Sequence, residues 1–237
     1  MNLKGVEMKK ILLLLVLFWG FNYAQTYKAE KVYGSVKVQE GSSENWIDVK
    51  DNDELKANSF IMTGKNSSIR LKNGDLHFTL KESSALPLSS LKKMNTDELL
   101  LALAMEQILN APKSNNGNKS QSTAVYGTKT GQTTGDASGK DNFNSFGIKR
   151  INGAVQLAEN GFKESAVITA KETYRKYPET KNQVFYSIYF ADILYECGLY
   201  AEAFDEFTGI KNLKLTEKEK AEVDYKLNLL SKKLTAY

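Results

Sequence analysis

Cysteine occurs once in this chain of 237 residues, as Cys197, and histidine once, as His77. A lone cysteine excludes an internal disulfide, so stability has to come from packing. One histidine and one cysteine cannot supply the three or four usual ligands of a zinc site. His77 is the only side chain whose ordinary pKa suits acid–base work near neutral pH. No cysteine, aspartate or serine constellation stands near it in the sequence, where a hydrolase would need a nucleophile and an orienting group. No enzymatic activity, catalytic residue, metal or cofactor is therefore expected. Long apolar runs are lacking too. The run from Ile11 to Phe21 falls well short of the roughly 20 residues a membrane-spanning helix needs.

That short run has a different meaning. In "MKKILLLLVLFWGFNYAQ" two lysines precede it and the small residue Ala24 follows, the layout of a secretory signal peptide over residues 1–24. Met8 fits the natural start better than Met1, and cleavage is expected near Ala24 or Gln25. No cysteine follows the run, which argues against a lipid anchor. The mature chain then has no membrane span and works outside the cytoplasm: in the periplasm, at the outer membrane or beyond the cell. One-signed charge is also scarce. The net charge is +4, with Lys+Arg 32 and Asp+Glu 28. Without residues 1–24 these counts fall to 29 and 27, leaving +2. A nucleic-acid partner, which calls for a clustered basic face, is not expected.

What the chain does have falls into segments. Residues 26–111 read as short strands with a trailing helix. "KVYGSVKV" alternates Val32, Gly34, Val36 and Val38 against Tyr33, Ser35 and Lys37, the period of a half-buried strand. "WIDV" and "SFIMTG" are further strands. Ile69 and Leu71 lead into "KNGD", and Leu76, Phe78 and Leu80 lead away, so Asn73-Gly74 predicts a hairpin with a type I′ turn. In that register His77 points away from Leu76 and Phe78, into solvent. Asn95 and Glu98 form a capping-box signature before "ELLLALAMEQIL", a helix too apolar on all sides to stand free in water. It should pack on the sheet or on a partner.

Residues 112–145 are dominated by Asn, Ser, Thr, Gly and Gln and read as a flexible linker. From residue 146 to 237 the period becomes helical and the sequence repeats. "NGFKESA" and "CGLYAEA" each place alanine five residues after glycine, at an offset of 37, and Leu157 and Leu194 keep that offset. Thr216 and Glu219 start a final helix with a second capping box. A period in the thirties indicates stacked helical hairpins.

Gly161, Ala166 and Pro178, with Gly198 and Ala203, resemble the tetratricopeptide repeat, over about 90 residues and two units. Ala191, Tyr200 and Phe207 fit the second unit, while Leu215 stands where its proline would be. Val32 to Leu86 resembles the FecR domain, a small β-domain of bacterial envelope proteins, with Asp53, Leu55, Ile61, Thr63 and Gly64 carrying the middle of the pattern. Signalling members of that family have an anti-sigma segment and a membrane helix. Neither is present here, so transcriptional control is not implied. The expected fold class is α+β: a FecR-like all-β domain followed by a tetratricopeptide-like helical domain.

Two acidic or glycine-rich stretches invite ligand readings. "DVKDNDE" lacks the glycine and distal glutamate of a calcium loop and reads as a solvated turn. "GTKTGQTTGDASGK" lacks the Gly-Lys-Ser/Thr ending of a phosphate loop. The aromatics between Tyr174 and Phe204 are more promising. Nine are more than one hairpin readily buries, so they serve as core alone or as core plus a binding face. The residues expected at such a face are Tyr174, Arg175, Lys181, Asn182, Tyr186 and Tyr189. The expected function is a non-catalytic envelope scaffold that binds other envelope proteins through its helical repeats. The alternative is a carbohydrate- or cell-wall-binding module using Trp46.

Overall fold

The computed structural model describes residues 25–111 and 137–236, with residues 137–144 as helical backbone alone. The signal-peptide reading of residues 1–24 and the linker reading of residues 112–136 lie outside the described residues.

The first part is built of β1 (Thr26–Tyr33), β2 (Val36–Glu40), β3 (Ile47–Asp48), β4 (Glu54–Lys56), β5 (Ser59–Thr63), β6 (Ser68–Asn73), β7 (Leu76–Leu80) and β8 (Ala85–Pro87). They form two antiparallel four-stranded sheets, ordered β4-β1-β6-β7 and β3-β2-β5-β8. Alternation sets the faces: in β6, Ile69 and Leu71 are buried while Arg70 and Lys72 are exposed. The inward side chains of both sheets belong to one core.

Two sequence expectations are corrected. "KVYGSVKV" is not one strand, because the chain leaves the first sheet at Tyr33 and enters the second at Val36. Gly34 makes that crossing with φ +72, and a Cβ there would lie 2.4 Å from Ser67 Oγ. Glycine meets both demands at once. The Ser67 hydroxyl accepts the Ser35 N–H at 2.9 Å and fixes the corner. The hairpin between β6 and β7 exists, but Asn73 pairs with Leu76, so its loop is Gly74-Asp75. Only Gly74 has positive φ (+56) in that loop. That is the pattern of a II′ turn, with glycine first, rather than I′.

Two 3₁₀ turns (Leu88–Ser90 and Pro178–Asn182) and six helices complete the described residues: α1 (Thr96–Asn110), α2 (Ala137–Glu159), α3 (Lys163–Lys176), α4 (Val184–Glu196), α5 (Tyr200–Lys211) and α6 (Glu217–Thr235). Both expected capping boxes are present, at Asn95/Glu98 and Thr216/Glu219. The two helical hairpins repeat bond for bond. Gly161 N–H donates to Ala158 O and Phe162 N–H to Leu157 O. Thirty-seven residues on, Gly198 N–H donates to Tyr195 O and Leu199 N–H to Leu194 O. Both glycines sit at positive φ, +84 and +78, as a helix C-terminus closed by a 6→1 bond requires. Ala166 and Ala203, fully buried, let the second helix of each hairpin approach closely.

α2 begins at Ala137, inside the stretch read as linker up to 145. Gly147 and Arg150 are buried and Phe146 half-buried, so packing holds the helix from there on. Extending a nucleated helix toward its N-terminus adds about one hydrogen bond per residue fixed, which composition alone does not reveal.

The β part and the helical part share a single cluster of buried side chains. α2 lies against β8 so closely that a Cβ on Gly153 would fall 2.2 Å from the Ala85 carbonyl oxygen. Gln156 is buried at the seam, where its Oε1 accepts Lys81 N–H at 2.5 Å and its Nε2 donates to Ser84 Oγ at 2.6 Å. Asn152 Nδ2 donates to Ser83 O at 2.9 Å, Ser165 Oγ to Lys92 O at 2.7 Å, and Phe78 meets Phe162 edge to face. Arg150 closes one side. Its guanidinium lies 5.1 Å from the Phe60 ring centre, and its Nη2 is 3.0 Å from Glu172. Burial alone would raise the Glu172 pKa, but Arg150, with Lys176 and Arg175, holds the carboxylate below its ordinary value.

Candidate interaction surfaces

The helical part carries an aromatic ridge on α4. Phe185, one residue into that helix, is 70% exposed. Its ring stacks on Tyr189 at 6.5 Å and 21°, and meets Tyr186 edge to face at 5.4 Å. Both supports are themselves fixed. The Tyr186 hydroxyl donates to Asn152 Oδ1 at 2.8 Å, and Tyr189 packs edge-on against the buried Phe190. The spacing explains the arrangement: residues 185 and 189 are i, i+4 neighbours on one helix face, while 184, 188 and 191 turn inward.

A groove of about 400 Å³ lies between α1, α3 and α5. Leu103 and Leu194 line its apolar part, and Lys171, Arg175 and Lys181 face Glu106, Glu202, Asp205 and Glu206 around it. Two of these cations are engaged within the fold. Arg175 grips Glu106 of α1 through Nε at 2.8 Å and Nη2 at 3.3 Å, and Lys171 pairs with Glu206. Tyr174 is buried at 9% exposure, and burial pushes its phenol well above the ordinary value. It keeps its proton at neutral pH.

The residues expected at one binding face are thus divided. Tyr174, Arg175 and Lys181 line the groove, whereas Tyr186 and Tyr189 belong to the ridge. Asn182 is exposed at the end of the 3₁₀ turn. Arg175 holds α1 rather than facing open solvent. Phe185, among the nine aromatics but outside the expected face, is the most exposed member of the ridge. Its position one residue inside the helix, next to Tyr186, was the available signal.

Trp46, the residue named for a glycan, is half-buried. Its ring meets the edges of Phe60 and Phe146, each at 6.3 Å, and Phe146 continues to Tyr177 at 5.9 Å. The side chain thus ties the second sheet to α2 and the 3₁₀ turn. His77 is exposed, as its register predicted, with Nδ1 3.7 Å from Glu30. The aspartates of "DVKDNDE" are engaged within the fold: Asp53 accepts Lys50 N–H of the turn at 2.7 Å, Asp51 accepts Val32 N–H of β1 at 2.6 Å, and Asp48 pairs with Lys37 of β2 at 3.5 Å. Cys197 is half-buried at the end of α4, and burial pushes its thiol upward. No group of three or more His, Cys, Asp or Glu side chains is placed to hold a metal ion among the described residues.

α1 was expected to pack on the sheet or on a partner. It packs on α3, burying only Leu99 and Leu103, and leaves Leu101, Met105, Ile108 and Leu109 more than half exposed. No described helix is long and apolar enough to cross a membrane. No family model, curated protein or solved structure matches the chain.

Proposed function

We propose that this protein is an exported, non-catalytic scaffold of the bacterial cell envelope. In this reading its first half is FecR-like, its second half is tetratricopeptide-like, and it recruits other envelope proteins through the helical half. The supporting observation is the ridge. A phenylalanine 70% exposed on two immobilised tyrosines loses little conformational freedom on binding and offers a large apolar contact. Those are the properties of an interface anchor. The partner is accordingly a protein segment with an apolar side chain to set against Phe185. The export reading rests on the leader-like residues 1–24.

The test is affinity capture from envelope extracts with the full exported chain as bait, against a Phe185→Ala/Tyr189→Ala variant. Circular dichroism and the thermal midpoint first establish that the variant still folds. The reading expects defined proteins on the wild-type bait that fall at least tenfold on the variant. Equal capture by both baits overturns the role of the ridge. Retention of the wild-type chain on peptidoglycan or polysaccharide, with no protein captured, moves the function to glycan binding.

A further inference from the structure

Five apolar side chains of α1 face solvent: Leu100 at 36% exposure, Leu101 at 65%, Met105 at 57%, Ile108 at 74% and Leu109 at 55%. Leu101, Met105 and Ile108 follow the i, i+4, i+7 spacing of a single helical face. The only charged side chain between Glu98 and Asn110 is Glu106, which is turned to Arg175 and so leaves the stripe uninterrupted. Taken together the five expose on the order of 500 Å² of surface, at the upper end of what lone soluble chains leave open.

We infer that this face is the interface of a homodimer, in which α1 of one copy packs antiparallel against α1 of a second. Three observations select a second copy. The face carries no charge and no pattern of donors, so the surface that complements it best is another uncharged leucine, isoleucine and methionine stripe: its own. Pairing two stripes of Leu101, Met105, Ile108 and Leu109 hides up to roughly 900 Å² from these side chains alone, which approaches the size of a specific interface before neighbouring residues are counted. A two-fold axis also satisfies the pattern. With Met105 on the axis, Leu101 meets the partner's Leu109 and Ile108 meets the partner's Ala102. The antiparallel sense places the acidic N-termini, each with Asp97 and Glu98, about 24 Å apart along the helix axis at 1.5 Å per residue. A parallel pair would bring those like charges together. The inference rests on α1 and does not depend on the ridge of α4.

The experiment is sedimentation equilibrium on the full exported chain from 1 to 100 µM, with Met105→Glu and Leu101→Glu/Ile108→Glu variants. All three positions are exposed, so the fold does not depend on them, and circular dichroism verifies this. The wild type should sediment as a dimer and the variants as monomers, with dissociation constants raised at least 100-fold. In a Cys197→Ser background, Met105→Cys should form a disulfide-linked dimer under mild oxidation at least tenfold faster than Thr235→Cys. A monomeric wild type at 100 µM overturns the inference. So does a dimer that survives both charge variants. So does a monomer whose Met105 resists oxidation, which would assign the face to another segment of the same chain.

Discussion

Gly153 is the residue on which the join between the two halves turns. Glycine inside a helix ordinarily costs about 1 kcal/mol relative to alanine. Here a Cβ would stand 2.2 Å from the Ala85 carbonyl oxygen, a backbone atom of a buried strand. Gly153→Ala should therefore destabilise the protein by about 2 kcal/mol or more despite its better helix propensity, read as a lower urea midpoint at unchanged slope. An unchanged or raised midpoint would mean that α2 is not seated on β8. Glu172 gives the pH counterpart. Its folded pKa lies below its unfolded one, so the ionised carboxylate contributes stability above the ordinary glutamate range, near about 4.3. That contribution is lost as pH falls through the lowered folded value. Glu172→Gln should be less stable than wild type at pH 7, with the difference shrinking below about pH 4. A constant difference across that window would contradict the pairing with Arg150. Neither residue announced its role in the sequence, because the partner of Gly153 is 68 residues away and that of Glu172 is 22 away.

The elements were legible where their information is local. The capping boxes at Asn95 and Thr216, the turn glycines Gly161 and Gly198, and the alternation in β6 and β7 are all set by residues within a few positions of each other. Each appears as read. Thr216→Ala should cost about 1 kcal/mol, seen as a lower thermal midpoint. Restoring the cap with Thr216→Ser should recover most of it. A silent Thr216→Ala would show that α6 is held by packing at Val223 and Leu230 alone. The readings that failed depended on distant partners. Gly34 looked like one more position in an alternating strand, whereas the nearness of Ser67 makes it a corner between sheets. Asn73-Gly74 announced a hairpin correctly, but its register was settled by the Asn73 pairing with Leu76. α1 was recognised as too apolar to stand alone, yet the sequence could not say that α3 would cover only one side of it.

At the scale of the whole molecule, the sequence left open whether the β part and the helical part touch, and their buried side chains form one cluster. Phe78 against Phe162, Gln156 between Lys81 and Ser84, and Trp46 between Phe60 and Phe146 all join the two parts. Trp46 is the only tryptophan beyond the leader-like segment, which makes it a reporter of the seam. Its fluorescence and the helical circular dichroism should change together in a single urea transition. Separate midpoints would indicate two independently stable halves. The interaction surface was partly visible in sequence. The surplus of aromatics pointed to it, but which of them protrude depended on the packing of α4 against α3 and α5. Tyr174 went inside, Arg175 went to Glu106, and Phe185 was left on top. The most direct measurement is site-specific photo-crosslinking in intact cells, with a benzophenone amino acid at position 185 and, as a control, at exposed position 235 of α6. The proposed scaffold role predicts a discrete adduct with another envelope protein from position 185 and none from position 235. No adduct at 185, or the same adducts at both positions, would contradict it.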